Sequence, residues 1–263
     1  MAGECDCANA FTPYGAHGLN FEKAFSVVPG EINCATCPIG PLTIYGPYIK
    51  KCPEGVCARR KAVLRARPHQ LIQSAGDPAD WVFTVFRGWA LRSMHFPDGR
   101  RQVISILLPG DTGPMEAVWA DGQRFHSSVR ALTHVIMCTF SPEDMRAMVF
   151  GSDAQRARAA EIALRHKTRT ERRLADIGRR RAIGRIAHLV LDVDETLRER
   201  GMSRGDEFDF PLRQEDIADM LGLTKAHVNR TLVALRKQAI LEIKQGRLYL
   251  LNRQLLTEIA AAN

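Results

Sequence analysis

Residues Leu212–Lys237 read LRQEDIADMLGLTKAHVNRTLVALRK, and this order predicts two helices joined by a tight turn. The first predicted helix begins near Gln214 and carries apolar residues at helical spacing up to Leu221. Gly222 can then take the positive φ that ends a helix in a tight turn, and Thr224 is a typical N-cap for the helix that follows. The pattern is that of a helix-turn-helix.

The second predicted helix has an outer face whose chemistry suits DNA. Val228, Leu232 and Leu235 recur at i, i+4 and i+7, so we expect them to face inward. The polar N-terminal half then faces outward, where Arg can bond guanine, Asn can bond adenine, and Lys and the helix terminus can hold phosphates. The predicted DNA-binding residues are Thr224, Lys225, Ala226, His227, Asn229 and Arg230. A helix pair at a protein contact is the alternative, but the turn glycine, the cap and the basic outer face together favour a DNA-reading motif.

The composition is that of a soluble globular protein with room for two domains. The chain has 263 residues, of which 45% are hydrophobic and 25% charged. The net charge is +8, and much of the positive charge follows Gln155, which indicates a polyanion such as double-stranded DNA as partner. No apolar run reaches about 18 residues and no secretory signal is visible, so we expect a cytoplasmic protein without a membrane span.

Catalytic motifs are missing from the sequence, and we do not expect an enzyme. The histidines are scattered, and neither GxSxG nor HExxH occurs. The acidic run at Asp192, Asp194 and Glu195 lies in a segment that predicts a helix, where we expect the carboxylates to be solvated.

A cysteine-rich segment lies near the N-terminus, before the β-rich middle of the chain. Residues 34–57 read CATCPIGPLTIYGPYIKKCPEGVC, with the pairs Cys34-x2-Cys37 and Cys52-x4-Cys57. The prolines and glycines favour turns, and a CxxC turn lets two thiolates converge on one metal ion or cluster. Ligation by sulfur alone suits zinc or an iron-sulfur cluster, and the spacing leaves both open.

The middle of the chain predicts a small β-barrel or β-roll. From Ala58 to about Phe140, short β-rich runs alternate with turn signals such as Asp98-Gly99. Cys138 falls in the last predicted strand. The chain then becomes helical, with a long helix predicted from Asp153 to about Gly178 that is suited to be a dimer spine.

After the helix-turn-helix, a hairpin is predicted around Gln245-Gly246, which makes the motif winged. The fold class is therefore α+β. The predicted domains are a mobile N-terminus with the cysteine-rich segment (1–57), a β-roll sensor domain (58–145), a dimerisation helix (146–180) and a winged helix-turn-helix domain (181–263).

This order of elements, with DIADMLGLTKAHVNRTLVALRKQAIL in the winged helix and FRGWALRSMHFPDGRRQVISILLPGD in the roll, resembles the Crp/Fnr superfamily of bacterial transcription regulators. The resemblance implies a cupin-like, cyclic-nucleotide-binding-type roll as effector domain and a homodimer that binds promoter DNA and works with RNA polymerase. The family commonly has a glutamate where this chain has Ala226, so we expect the DNA half-site to differ from the common family sequence.

The roll departs from the cyclic-AMP branch of that family. The branch holds the ligand with a Gly-Glu-Leu turn and a following Arg-Ser pair. Met115 stands in the position of the glutamate, and Phe125 and His126 stand in those of Arg-Ser. Because an apolar ring cannot neutralise a phosphate, we expect that cyclic AMP does not bind.

The chain is most similar to the oxygen-sensing, Fnr-type branch, whose members bind a [4Fe-4S] cluster through three N-terminal cysteines and one in a late strand of the roll. Cys34 and Cys37 match the N-terminal CxxC, and Cys138 matches the strand cysteine. The third N-terminal ligand would be Cys52 or Cys57. Such a cluster would favour one dimer packing, and oxygen or nitric oxide would release that constraint.

Two other occupants of the site remain open. The four cysteines of residues 34–57 could bind one zinc ion, or act as redox thiols, and Cys138 would then be an ordinary core residue. Haem is the third alternative, with a cysteine, His126 or Met115 as axial ligand.

Overall fold

The computed structural model describes residues 25–27, 32–113, 115–119, 122–203 and 205–262. The chain divides into two compact units, of which the first comprises Met1–His95 with Ser105–Arg165 and the second Phe96–Ile104 with His166–Asn263. Most of the N-terminus for which mobility was predicted, including Cys5 and Cys7, lies outside the described residues.

Among the described residues, eight strands build the predicted roll. They are β1 (Ser26–Val27), β2 (Ala62–Ala66), β3 (Leu71–Gln73), β4 (Val82–Arg87), β5 (Ala90–His95), β6 (Arg101–Leu107), β7 (Ser128–Ala131) and β8 (Val135–Phe140). They form two four-stranded sheets, in the orders β1-β2-β8-β4 and β3-β7-β5-β6. Strand β8 pairs with β2 on one side and β4 on the other, and all its residues are buried. The predicted α+β fold with an N-terminal roll is confirmed.

The cysteine-rich segment is helical where turns were predicted. It contains a 3-10 turn (Gly40–Leu42), helix α1 (Gly46–Lys51) and helix α2 (Pro53–Arg59). Each of the three has a proline in its first turn. The missing N–H of proline costs nothing there, because the first N–H groups of a helix lack an intrahelical partner. The prolines that suggested irregular turns therefore start short helices.

A short helix and then a long helix follow the roll. After α3 (Glu116–Trp119), helix α4 (Pro142–Phe150) is N-capped by Ser141, whose hydroxyl oxygen accepts a bond from the Asp144 N–H at 3.1 Å. The long helix α5 begins only at Asp153 and runs to Arg179. The segment from residue 146 to the end of α4 therefore belongs to a separate helix, whereas the predicted dimerisation helix included it.

The second unit has the winged-helix arrangement. Its helices are the C-terminal part of α5, α6 (Ala182–Glu199), α7 (Gln214–Leu221), α8 (Lys225–Lys237) and α9 (Arg253–Ala262), and its sheet has β9 (Glu207–Asp209), β10 (Leu241–Lys244) and β11 (Arg247–Leu250). Strands β10 and β11 pair as the hairpin predicted around Gln245-Gly246. The core of this unit includes Ile186, Val190, Ile217, Met220, Val228 and Leu235. In the part of the chain described, no helix is both long and apolar enough to cross a membrane.

Asp194 corrects the expectation that the acidic run of α6 is solvated. Its side chain is fully buried and lies 3.0 Å from Arg198 Nε and 2.5 Å from Arg253 Nη2. Arg253 begins α9, so the buried carboxylate ties that helix to α6. Glu195, the next residue in the run, is exposed as expected. A charge without its ion-pair partners in this position would be costly, which explains why two arginines accompany Asp194.

Replacement of Asp194 should therefore destabilise the second unit. We expect Asp194→Asn to lower the free energy of unfolding by about 3 kcal/mol, because it removes the buried carboxylate that pairs with both arginines and leaves them only the exposed Asp206. Urea unfolding followed by circular dichroism measures the change. Glu195→Gln removes one charge from the exposed neighbouring position and should change stability by less than about 0.5 kcal/mol. Equal effects of the two substitutions would show that the buried pair does not stabilise the fold.

Candidate functional site

The turn between α7 and α8 has the predicted local geometry. Gly222 has φ 62° and ψ 39°, and the N–H of Leu223 donates to the carbonyl of Ala218 at 3.0 Å. Thr224 is extended, and its hydroxyl oxygen accepts a bond from the N–H of His227 at 3.2 Å. A residue with a Cβ would be strained at the positive φ of Gly222. Glycine and threonine thus set the angle at which α8 leaves α7.

Helix α8 turns its polar N-terminal half to the outside. Val228 and Leu235 are fully buried, and Leu232 is half-buried between them. The residues of the predicted DNA-binding set are all exposed: Thr224, Lys225, Ala226, His227, Asn229 and Arg230. The whole set is therefore accessible, and we call these six exposed residues the recognition face.

Two residues of α7 hold side chains of the recognition face in place. Lys225 Nζ lies 2.6 Å from Glu215 Oε1, and this bond lowers the pKa of the Glu215 carboxyl. Asn229 Nδ2 donates to Gln214 Oε1 at 3.3 Å. Sequence reasoning missed Gln214 and Glu215 because they contact the face across the turn. A DNA phosphate must replace Glu215 before it can pair fully with Lys225.

Arg230 is the arginine of the recognition face, and it is available for a base. Its side chain is exposed, and within the described residues it makes neither a hydrogen bond nor an ion pair. A guanidinium with free donors can bond two acceptors of a guanine edge. The tip of the β10–β11 hairpin adds exposed Lys244, which the predicted set did not include, and Arg247, which is paired there with Glu207 and Asp209.

A second candidate site lies where the cysteine-rich segment meets the roll. The guanidinium of Arg60 is 9% exposed and donates to the carbonyl of Ile32 at 2.9 Å. The same group lies 3.7 Å from Cys34 Sγ and 3.9 Å from Cys57 Sγ. Both cysteines are almost fully buried in the core. One buried cation therefore lies between two sulfur atoms from different turns of the segment.

Cys138 of β8 joins the same cluster. Burial raises the pKa of its thiol to about 12, and the charge of Arg60 partly offsets that rise. Negative charge on Cys34 or Cys37 would raise the pKa of the Cys138 thiol further. The pKa of Cys37 is raised as well, first by burial. We call Cys34, Cys37, Cys57 and Cys138 the sulfur cluster.

Cys52 lies apart from the sulfur cluster. Its sulfur bonds Glu54 Oε1 at 3.0 Å, on an exposed part of the segment. Burial first raises the pKa of the Tyr48 hydroxyl there, and Cys52 raises it further. The guanidinium of Arg59 lies over the Tyr48 ring, 5.5 Å from its centroid. Helix α2 begins directly after Cys52 and places Cys57 at its other end, on the buried side. The two candidates for the third N-terminal ligand thus have different surroundings.

The thiol chemistry of the cluster is not uniform. Cys57 is disulfide-bonded, whereas Cys34, Cys37 and Cys138 are not. Among the described residues, no three cysteine, histidine or acidic side chains are arranged closely enough to hold one metal ion. The guanidinium of Arg60 lies among the sulfur atoms instead.

The positions that correspond to the cyclic-AMP ligands have other surroundings. Phe125 is 2% exposed and belongs to the core of the roll. Met115 is half-buried against that core, and His126 is exposed. The ring of Phe125 thus packs in the core of the roll and does not line a ligand site.

Comparison with known proteins agrees with both parts of the structure. A model of the Crp-like helix-turn-helix domain matches residues 184–259, and a model of the cyclic nucleotide-binding domain matches residues 63–151. The combination defines a class of transcription regulators with an effector-type roll and a winged helix. The solved structure of FixK2 from Bradyrhizobium japonicum has the same fold, with a TM-score of 0.66 and 24% identity over 76% of this chain and 98% of that chain.

Two curated relatives cover most of the chain. The nitrogen fixation regulation protein FixK of Bradyrhizobium diazoefficiens is 31% identical over 194 residues, which cover 73% of this chain and 79% of the relative. The transcriptional activator protein FnrL of Cereibacter sphaeroides is 28% identical over 221 residues, which cover 81% and 86%. The protein belongs to the Crp/Fnr superfamily and is a DNA-binding transcriptional regulator.

Arg230 should contribute to sequence-specific DNA binding. We expect Arg230→Ala to weaken binding to a selected high-affinity duplex by about 1–3 kcal/mol and to relax specificity at one base pair, because a bidentate contact to guanine is lost. Fluorescence anisotropy with single-base variants of the duplex measures both effects. Arg236→Ala, at an exposed position near the other end of α8, serves as the control. Equal weakening on every duplex would mean that Arg230 contacts phosphate alone.

Proposed function

We propose that this regulator senses oxygen or nitric oxide through a [4Fe-4S] cluster held by Cys34, Cys37, Cys57 and Cys138. The observation that carries the proposal is the gathering of sulfur atoms from the N-terminal segment and from strand β8 around one buried guanidinium. A donor set of sulfur alone is the set that iron-sulfur clusters prefer. The state of the site would control how a homodimer binds promoter DNA.

The surroundings of the cysteines favour Cys57 over Cys52 as the third N-terminal ligand. Cys57 lies 3.9 Å from the same guanidinium as Cys34, whereas Cys52 is engaged with Glu54 on the outside of the segment. A cluster at the Cys57 position would be protected from water, which lowers the local dielectric and slows loss of iron.

The charges near the sulfur cluster fit four thiolates. Cys138 is protonated at neutral pH, so it would release its proton when it becomes a ligand. Arg60 would have to move from between the sulfur atoms when a cluster binds, and its positive charge beside the site would still offset the negative charge of the thiolates. The Cys57 disulfide must first be reduced, and a cellular dithiol would supply the two electrons and two protons and become a disulfide itself.

A bound cluster would supply an oxygen-labile cross-link between the cysteine-rich segment and strand β8. The chain itself connects that segment to the long helix. Arg158 of α5 donates to the carbonyl of Leu42 at 3.1 Å and to that of Thr43 at 3.5 Å. Any shift of the 3-10 turn that carries Leu42 therefore acts on α5. The position of the segment would bias the packing of α5 in this way.

Helix α5 offers a face for a second copy of the chain. Leu164 is 62% exposed and Leu174 is 71% exposed, although both are large apolar residues on one helix. The many arginines of α5 keep this face only weakly apolar, so a change of a few kcal/mol in packing would move the monomer–dimer equilibrium. A dimer would set two recognition faces about 34 Å apart on one promoter, where RNA polymerase is the expected partner.

The first experiment is optical. Protein purified without oxygen should show broad visible absorbance that bleaches in air, with about four irons and four sulfides per chain. One zinc ion in a colourless protein would contradict the proposal and favour a structural site. A sharp Soret band would indicate haem instead.

The choice between Cys57 and Cys52 gives a matched pair of variants. We expect Cys57→Ser to lose the bound iron and the visible absorbance, because an essential thiolate is removed. Cys52→Ser should keep both, because its sulfur bonds Glu54 outside the cluster. Iron analysis after anaerobic reconstitution measures the difference. The reverse result would assign the ligand to Cys52.

Cys138→Ala tests the ligand contributed by the roll. We expect this variant to stay folded and to lose its response to oxygen, because the substitution removes one buried sulfur and changes no backbone hydrogen bond of β8. DNA binding before and after exposure to air measures the response, and circular dichroism checks the fold. A response equal to that of the natural protein would refute a role for Cys138.

The disulfide of Cys57 favours a second candidate function, a redox-thiol switch without metal. In that case iron-free protein would bind DNA differently before and after treatment with a dithiol reductant, and Cys57→Ser would abolish the difference. The proposed cluster predicts instead that reductant alone has no effect until iron and sulfide are supplied.

A further inference from the structure

One row of side chains crosses the second sheet of the roll. Gln73 of β3 is paired with Val129 of β7, and Val129 is paired in turn with Arg92 of β5. Paired residues of antiparallel strands point to the same face of a sheet. Val129 is fully buried, so this face is the interior of the roll. Gln73 and Arg92 therefore flank an apolar residue inside the domain.

Both polar residues of the row have a buried atom without a partner. The guanidinium Nε of Arg92 and the amide Oε1 of Gln73 are inaccessible to solvent and make no hydrogen bond. Gln73 is 4% exposed, and its Nε2 is anchored to the carbonyl of Ser127 at 3.2 Å. The amide orientation is thus set, with the acceptor oxygen left over. Buried polar atoms in folded proteins nearly always have a hydrogen-bond partner, so two such atoms without one in the same row need an explanation.

Arg92 is also a cation without a counter-ion. Within the described residues, its guanidinium makes no ion pair and no hydrogen bond. Burial lowers the pKa of Arg92, and the Glu116 carboxylate offsets this only in part. A charge that is half-buried, with its Nε wholly out of reach of water, is costly unless something pairs with it. The row thus offers several N–H donors at one end and one acceptor oxygen at the other.

Two strand spacings, about 10 Å between backbones, separate Arg92 from Gln73, and the long side chains occupy part of that distance. A ligand that bonds both must therefore be small. It must carry a negative charge for Arg92 and a hydrogen-bond donor for Gln73. Hydrogen phosphate and small hydroxy acids such as lactate have both groups, whereas sulfate and acetate have the charge alone.

We propose that the interior of the roll binds a small oxyanion with its own hydroxyl group, with Arg92 pairing the charge and Gln73 Oε1 accepting a bond from the hydroxyl. This site is separate from the sulfur cluster and does not depend on the proposed cluster. It would make the roll a receptor for a metabolite as well as a support for the cysteines.

Titration with four anions tests the proposal. Inorganic phosphate against sulfate, and lactate against acetate, are pairs that differ in the donor hydroxyl. Calorimetry and the NMR signal of the Arg92 Nε–H group measure binding directly. We expect saturable binding by phosphate or lactate, with at least about tenfold weaker binding by the partner that lacks the hydroxyl. Binding by phosphate would indicate a phosphate ligand, and binding by lactate would indicate a carboxylate ligand.

Three variants assign the residues. Arg92→Met should lower affinity at least about tenfold and raise the melting temperature of the anion-free protein, because it removes a buried charge without a partner. Gln73→Met should keep binding but lose the preference for the hydroxyl-bearing anion. Arg87→Met, which removes an exposed arginine of the same domain, should change neither property. Arg92→Lys keeps the charge and should retain part of the affinity.

The proposal is overturned if none of the four anions gives a saturable response in the natural protein. It is also overturned if Arg92→Met and Arg87→Met respond to anions as the natural protein does, since that result indicates a general salt effect. Neither outcome bears on iron binding, which is measured at other residues.

Discussion

The guanidinium of Arg60 is the contact on which the packing of the cysteine-rich segment against the roll depends. It bonds the carbonyl of Ile32 and lies against the sulfur atoms of Cys34 and Cys57, while its charge acts on Cys138 in the roll. Sulfur is a weak hydrogen-bond acceptor, so the contacts between Arg60 and the two sulfur atoms are weak. Stronger bonds from the sulfur atoms to another group could replace them. A segment held in this way is ordered without a cofactor and can still rearrange when one binds.

Buried charge recurs across the protein and has a different role at each place. Asp194 is paired with two arginines, and the result is a structural tie between two helices. Arg60 has sulfur neighbours, which suits a site that changes occupant. Arg92 makes no hydrogen bond in the described structure, which suits a site that binds an anion. Because the cost of burying a charge depends on what surrounds it, the neighbours of each group indicate its role.

The DNA-binding end follows a simpler plan, in which one apolar stripe and one turn orient the recognition face. Burial of Val228 and Leu235 fixes the rotation of α8, and Gly222 with Thr224 fixes its start. The partners Glu215 and Gln214 hold Lys225 and Asn229 without closing the face. Arg230 is exposed, so its guanidinium can contact DNA without first giving up a bond within the described residues.

The sequence by itself determined the features that depend on local or periodic patterns. The turn at Gly222, the Thr224 cap, the exposed recognition face and the order of roll, long helix and winged helix all follow from residues close together in the chain. The cysteine spacing also showed that a sulfur site was to be expected, although it did not distinguish Cys52 from Cys57. Only the tertiary structure separated them, because α2 turns one toward the core and leaves the other beside Glu54. Tertiary structure alone also decided that Asp194 is buried and that Arg92 lies in line with Gln73. The physical reason is that burial and pairing of charge depend on residues distant in the chain, which no local pattern encodes.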